Sequence, residues 1–133
     1  MPKVTLAALP VPLPQRDREY LQSKDMEFTL AQVGPEVHLT LIAFLFPTAY
    51  TPLKSDMRIV LPPGYDSSNP DMFWTRPNVK LESGAFPLTA DHMQTFPDGV
   101  WQRWSRHFEG WRPGIDGLRS YIASIRRELS RGL

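Results

Sequence analysis

Residues 111 to 125 read WRPGIDGLRSYIASI, and this stretch decides the fold. Pro113 suits the first turn of a helix, because its missing N–H would have no partner there. Apolar side chains then recur at spacings of three and four: Ile115, Leu118, Ile122, Ile125 and Leu129, with Tyr121 beside them. Gly132 is a suitable stop for this helix. The charges fit the helix dipole, with Asp116 near the positive end and Arg126, Arg127 and Arg131 near the negative end. The pattern predicts one long amphipathic helix at the end of the sequence.

Further upstream, alternating residues predict a β-hairpin. In MEFTLAQVG, Met26 to Gly34, the apolar residues Met26, Phe28 and Leu30 share one side, and Gly34-Pro35 forms the turn. The second strand, EVHLTLIAFLF, runs from Glu36 to Phe46. Strict alternation divides it into two faces: Val37, Leu39, Leu41, Ala43 and Leu45 on one, and His38, Thr40, Ile42, Phe44 and Phe46 on the other.

Two further strands complete a meander of about four strands. SDMRIVL, residues 55 to 61, predicts a third strand that stops at Pro62, and the fourth lies around Phe73 and Val79 to Leu81. Residues 82 to 99 are loop-rich, and residues 15 to 25 have the material for two helical turns. Strands followed by a packing helix predict an α+β domain, with the helix laid on one face of an antiparallel sheet.

The composition fits one ordinary globular domain. The chain has 133 residues, of which 41% are hydrophobic and 22% charged, and it has no cysteine. Fifteen basic residues oppose fourteen acidic ones, so no overall field favours nucleic acid or a membrane surface as a partner. The longest apolar run, Leu39 to Phe46, is too short to cross a bilayer. We expect a proline-rich strap over residues 1–14, a single domain over residues 15–133, and a cytoplasmic location, because no signal peptide is present.

Two motifs connect this order of elements to a known family. LPPGYDSSNPDMF, Leu61 to Phe73, follows the third strand, and Trp111-Arg112-Pro113 opens the predicted helix. Over roughly residues 26 to 131, the chain resembles the ubiquitin-conjugating enzyme superfamily (UBC fold), and more narrowly its prokaryotic family E. In that superfamily a PPxYP-like run ends the third strand and a W-S-P tripeptide starts the crossover helix. The resemblance implies a UBC-like fold, here without the two extra C-terminal helices.

The superfamily nucleophile is a cysteine upstream of that tryptophan, and this chain has Arg103 at the corresponding position and Ser105 two residues later. A serine can carry an acyl group as an oxyester if a base takes its proton, and His107 is two residues away. If Trp101 to His107 is extended, Arg103, Ser105 and His107 share one face, and Gln102, Trp104 and Arg106 share the other. We therefore expect Ser105 as nucleophile and His107 as base.

Developing negative charge on the acyl oxygen needs hydrogen-bond donors, and Arg103, Arg106 and Asn78 are the candidates. Asn78 belongs to Arg76-Pro77-Asn78, the only echo of the H-P-N tripeptide of the superfamily. The alternative interpretation is a non-catalytic module in which the tryptophans are core anchors and Ser105 and His107 are a polar edge. In a third interpretation, Ser105 replaces a natural cysteine.

The resemblance also implies the partners. These are a ubiquitin-like protein, an activating enzyme, and a ubiquitin-like-specific peptidase of the same pathway. The reaction is acyl transfer to an amine, which requires no cofactor. No two histidines have the spacing of metal ligands, and no glycine-rich phosphate loop is present, so we expect neither a metal nor a nucleotide.

Overall fold

The computed structural model of the protein describes residues 13–133. The predicted strap over residues 1–14 therefore lies almost entirely outside the described residues, which include only Leu13 and Pro14 of it. The first element is helix α1, Gln15–Ser23, which confirms the two predicted helical turns. Leu21 is its buried apolar residue, and Asp17 is buried beside it.

Eight strands and a second helix follow along the chain. They are β1 (Phe28–Val33), β2 (Glu36–Leu45), β3 (Tyr50–Thr51), β4 (Lys54–Leu61), β5 (Phe73–Arg76), β6 (Lys80–Leu81), β7 (His92–Phe96), β8 (Gly99–Trp104) and α2 (Leu118–Leu129). The main sheet has six antiparallel strands in the order β1-β2-β4-β5-β8-β7, while β3 and β6 form a separate pair. The α+β class and the antiparallel sheet are confirmed. The predicted meander holds for β1, β2, β4 and β5, but β8 rather than β7 pairs with β5, and the expected number of four strands is wrong.

The difference in strand number comes mainly from a second hairpin. Residues 82–99 were expected to be loop-rich, yet they contain β7, which pairs with β8 from His92↔Arg103 to Phe96↔Gly99. The sequence pattern did not predict this hairpin, because β7 has no fully buried residue and lacks a regular apolar alternation. Only Gln94 and Phe96 of β7 are partly buried. The hairpin matters for the site, because β8 leads directly into Ser105.

The hairpin of β1 and β2 is confirmed, with one correction to its faces. Strict alternation fails after Leu41, where the pairing with β4 shifts between Leu41 and Phe44. Ala43 adopts φ 53°, and its N–H donates to Oδ1 of Asp56 at 2.9 Å. This β-bulge brings Phe44 and Phe46 into the same core as Leu39 and Leu41 and leaves Ala43 exposed, whereas strict alternation places the two phenylalanines on the opposite face.

Helix α2 begins later than the WRP motif predicts. Residues 113–115 form a turn instead, in which the N–H groups of Ile115 and Asp116 both donate to the carbonyl of Arg112. Ile115 is 64% exposed, so it does not belong to the buried stripe. The rest of the predicted stripe is confirmed, since these α2 residues are buried: Leu118, Tyr121, Ile122, Ile125 and Leu129.

The core lies between α2 and one face of the main sheet. It contains Leu39 of β2, Ile59 of β4, Phe73 of β5 and Trp104 of β8, each at most 2% exposed. Trp104 stacks on Phe73, with ring centroids 5.1 Å apart. In residues 13–133 neither helix has the length and apolar content that a membrane crossing requires.

Candidate functional site

A buried glutamine fixes the strand that carries the site. Gln102 of β8 is fully buried, and its Oε1 accepts hydrogen bonds from the hydroxyl of Thr75 and the N–H of Val79, both at 2.7 Å. Its amide nitrogen donates to the carbonyls of Val79 and Ala90, both at 2.9 Å. One side chain therefore joins β8 to β5, to the residue after Asn78, and to the loop before β7. The sequence carried no signal for this role.

Burial alternates along the end of β8 as the extended interpretation requires. Gln102, Trp104 and Arg106 are buried, whereas Arg103 and Ser105 are partly buried and His107 is exposed. The prediction that an extended backbone separates these two sets is confirmed through Trp104, the last residue of the strand.

Ser105 is the first residue beyond the strand. Its N–H donates to the carbonyl of Thr89 at 2.9 Å, which fixes its backbone against the loop before β7. Its Oγ makes no hydrogen bond with any residue from 13 to 133, so the hydroxyl is not committed to a structural partner. That includes His107: the two predicted partners are close in sequence but are not hydrogen-bonded to each other.

His107 is paired elsewhere. Its Nδ1 lies 2.6 Å from Oδ1 of Asp71, a residue 36 positions upstream and just before β5. Both side chains are more than half exposed, at 61% for His107 and 53% for Asp71. Sequence reasoning missed Asp71, because nothing local distinguishes it from the other exposed acidic residues in the chain. The remaining ring nitrogen, Nε2, has no partner among the described residues.

Arg106 is held in the interior. Its side chain donates from Nε and Nη2 to the carbonyl of Leu88, and Nη2 also donates to the backbone oxygen of Leu133 at 2.6 Å. Nη1 lies 3.6 Å from a carboxylate oxygen of Glu128, and the guanidinium packs over the ring of Trp104. Most of its donors are therefore committed to holding the loop at Leu88 and the end of α2 beside Ser105.

Arg103 and Asn78 are less constrained. Arg103 lies on the sheet face opposite α2, between its ladder partners Trp74 and His92, and within the described residues its guanidinium forms neither a hydrogen bond nor an ion pair. Its Nε is buried without a partner. The Asn78 side chain is exposed and is likewise without a hydrogen bond in residues 13–133. Among residues 13–133, neither the Arg103 side chain nor the Asn78 side chain is hydrogen-bonded to Ser105.

The two family-like motifs pack against each other. Trp111 donates from Nε1 to the carbonyl of Asp66 at 2.8 Å, and its ring lies 6.1 Å from that of Tyr65. Tyr65 in turn donates its hydroxyl to Oδ2 of Asp17 at 2.8 Å. Burial, followed by the nearby Asp17 carboxylate, raises the pKa of Tyr65 far above its usual value. Tyr65 therefore remains a hydrogen-bond donor that joins the LPPGY run to α1, in agreement with a packing role.

Comparison with known proteins supports the family suggested by these motifs. No curated protein and no solved structure matches the chain significantly. A family model described as Prokaryotic E2 family E matches residues 13–132, which is nearly all of the described chain. That family has a role in bacterial ubiquitin-like conjugation, with a ubiquitin-like protein and an activating enzyme as partners. The chain therefore belongs to prokaryotic E2 family E, a family of UBC-like conjugating proteins.

Proposed function

We propose that this protein accepts the C-terminus of a bacterial ubiquitin-like protein from an activating enzyme, carries it as an oxyester on Ser105, and transfers it to an amine. Family membership supports the pathway, since the family model covers residues 13–132. The observation that carries the choice of residue is the uncommitted hydroxyl of Ser105, two residues before an exposed imidazole.

The first step is loading. Oγ of Ser105 bonds to the activated carbonyl carbon of the ubiquitin-like C-terminus, and its proton passes to Nε2 of His107. The bond between that carbonyl carbon and the activating enzyme breaks, and the leaving group departs with the electron pair and takes the proton from Nε2, so that the imidazole is neutral again for the second step. Catalytic hydrogen bonds are often long in unliganded enzymes and tighten with the substrate in place, so the absence of a Ser105–His107 bond is compatible with this step.

The second step is transfer to the acceptor. The amine nitrogen bonds to the ester carbonyl carbon and gives a proton to His107, and the bond to Oγ breaks as Ser105 regains its proton. A cleft of about 320 Å³ beside His107 supports this step, because it offers room for an amine. Its charged lining is balanced, with the carboxylates of Glu109 and Glu128 and the guanidinium groups of Arg127 and Arg131.

The tetrahedral intermediate of either step needs donors at the developing oxyanion. Asn78 and Arg103 are our candidates, because their side-chain donors have no partner in residues 13–133. We assign Arg106 an anchoring role, because its Nε and Nη2 already donate to the carbonyls of Leu88 and Leu133, and its Nη1 lies buried 3.6 Å from a carboxylate oxygen of Glu128.

The alternative is a binding module that recognises the ubiquitin-like protein or the activating enzyme without chemistry. Two observations favour it: the chain has no cysteine, and Ser105 and His107 are not hydrogen-bonded to each other. In this case Ser105 and His107 would be surface groups of a domain that docks onto its partner.

The decisive experiment mixes the protein with the activating enzyme, ATP and the ubiquitin-like protein. We expect a covalent adduct that resists thiols and is cleaved by mild base or hydroxylamine. Ser105→Ala should abolish it, and Ser130→Ala, an exposed serine at the end of α2, should not. Ser105→Cys should convert the adduct into one that thiols cleave, and the chain offers no other thiol to confuse the result.

The role of His107 is tested in the same assay. His107→Gln should slow loading while leaving affinity for the charged activating enzyme unchanged. An adduct that still forms in Ser105→Ala would show that another residue carries the ester. No adduct with a fully charged activating enzyme would favour the binding module.

A further inference from the structure

The Asp71–His107 pair lies at the surface, where ion pairs contribute little to stability. Its geometry is nevertheless tight, at 2.6 Å between Oδ1 and Nδ1. An ionised carboxylate can only accept, so the proton of this hydrogen bond is on Nδ1. In the neutral ring Nε2 is then unprotonated and is the proton acceptor.

Both partners of the pair are braced by one residue of α2. The hydroxyl of Tyr121 donates to the carbonyl of Met72 at 2.6 Å, directly after Asp71. The ring of Tyr121 meets the ring of Phe108 edge-on, with centroids 5.5 Å apart, directly after His107. Tyr121 is buried, and burial followed by the Asp71 carboxylate raises its pKa well above the usual value, so the hydroxyl remains a donor.

We infer that Asp71 is a positioning residue that holds His107 in the tautomer with Nε2 unprotonated, and that Tyr121 fixes the two chain segments that carry the pair. The inference rests on the proposed function, in which Nε2 of His107 takes the proton of Ser105 or of the acceptor amine. Asp71 does not touch the reacting atoms. Asp71 keeps His107 in the tautomer that can accept a proton on Nε2 before the substrate binds.

The chain contains its own control. Asp91 and His92 form a second exposed pair, with Nδ1 and Oδ1 at 3.1 Å, on β7 and the residue before it. Asp91→Asn therefore removes a comparable surface charge beside a histidine without altering the surroundings of His107.

The first test is nitrogen NMR of the protein alone, at a pH where the rings are neutral. His107→Gln assigns the His107 signals among the three histidines of the chain. We expect His107 to carry its proton on Nδ1, Asp71→Asn to move it towards Nε2, and Asp71→Glu to retain part of the original population. Asp91→Asn should leave the His107 signals unchanged. An unaltered His107 tautomer in Asp71→Asn would overturn the inference, whatever the result of the loading assay.

The second test is the loading rate with the activating enzyme. Asp71→Asn should lower this rate by at least about tenfold, with unchanged affinity for the charged activating enzyme, and Asp71→Glu should recover part of the loss. Tyr121→Phe, which keeps the ring but loses the bond to Met72, should give a smaller decrease. A tautomer that shifts without any change in loading would also overturn the positioning role. If the unaltered protein forms no adduct, the proposed function fails. The NMR result alone then decides whether Asp71 determines the tautomer of His107.

Discussion

The backbone N–H of Leu118 donates to Oδ1 of Asp17 at 3.1 Å, across 101 residues of sequence. Leu118 is the first residue of α2, so α1 supplies the cap for the last helix. Gly117 makes this approach possible, because a Cβ at that position would lie 2.8 Å from the same oxygen. The second oxygen of Asp17 accepts from Tyr65, so one buried carboxylate connects both helices to the LPPGY run.

We expect Asp17→Asn to destabilise the protein, because an amide has one acceptor oxygen and must turn its NH₂ towards one of the two donors. Leaving a buried donor without a partner costs about 1–3 kcal/mol. Urea unfolding measures the loss. Glu19→Gln, an exposed change on the same helix, should leave the unfolding midpoint nearly unchanged, and an equal effect of the two variants would contradict the capping role.

Gln102→Leu removes four hydrogen bonds from the interior and leaves Val79 and Ala90 with unpaired backbone groups. We expect a loss of more than about 2 kcal/mol in the free energy of unfolding, since several buried groups lose partners at once. Gln22→Leu, at an exposed position of α1, is the matched comparison. A small loss in Gln102→Leu would show that water replaces the glutamine.

Arg106→Lys keeps the charge but cannot reproduce the fork of Nε and Nη2 on the carbonyl of Leu88. We expect a loss of about 1–3 kcal/mol in urea unfolding, together with slower loading of Ser105, because the loop at Leu88 and Thr89 also holds the Ser105 backbone. Arg131→Lys changes an exposed arginine that also pairs with Glu128 and should alter neither quantity. Normal loading in Arg106→Lys would show that the Arg106 anchor does not position Ser105.

The turn before α2 should respond to acid. Hydrogen bonds from the Arg112 side chain and backbone lower the pKa of Asp116 from its ordinary value of 3.8 to about 2. A carboxyl group whose pKa is lower in the folded protein stabilises it above the unfolded pKa, and this contribution is lost as the pH falls towards about 2. The difference in urea midpoint between the natural protein and Asp116→Asn should therefore shrink from about pH 5 to about pH 2. A constant difference across this range would contradict the pairing.

Local patterns predicted the parts of the fold that local interactions stabilise. The turn at Gly34-Pro35, the stop of β4 before Pro62 and the stripe of α2 each depend on residues close in sequence. The bulge at Ala43 depends on Asp56 in another strand, and the late start of α2 depends on Asp17 in another helix. Those contacts arise only after the chain has folded, so no local pattern could predict them.

The candidate site likewise has residues that local patterns predict and residues that depend on distant contacts. Ser105 and His107 are predicted site residues because an extended backbone brings alternate residues to one face, and because the family-like motifs indicate where to search. Asp71 was missed because 36 residues separate it from His107, and Gln102 because a glutamine in a strand resembles any other polar position. Both gain their roles from partners in distant segments.

The segment from Ser105 to Gly117 contains neither helix nor strand, yet the buried side chain of Arg106 and the partly buried side chain of Trp111 hold it in place. The side chains that anchor this segment and the groups proposed to react thus occupy different residues within a dozen positions. Exchanging the proposed acyl-accepting atom, from oxygen to sulfur for example, should leave the helix, the sheet and both anchors intact. In such a domain, reactivity can diverge during evolution while the scaffold remains constant.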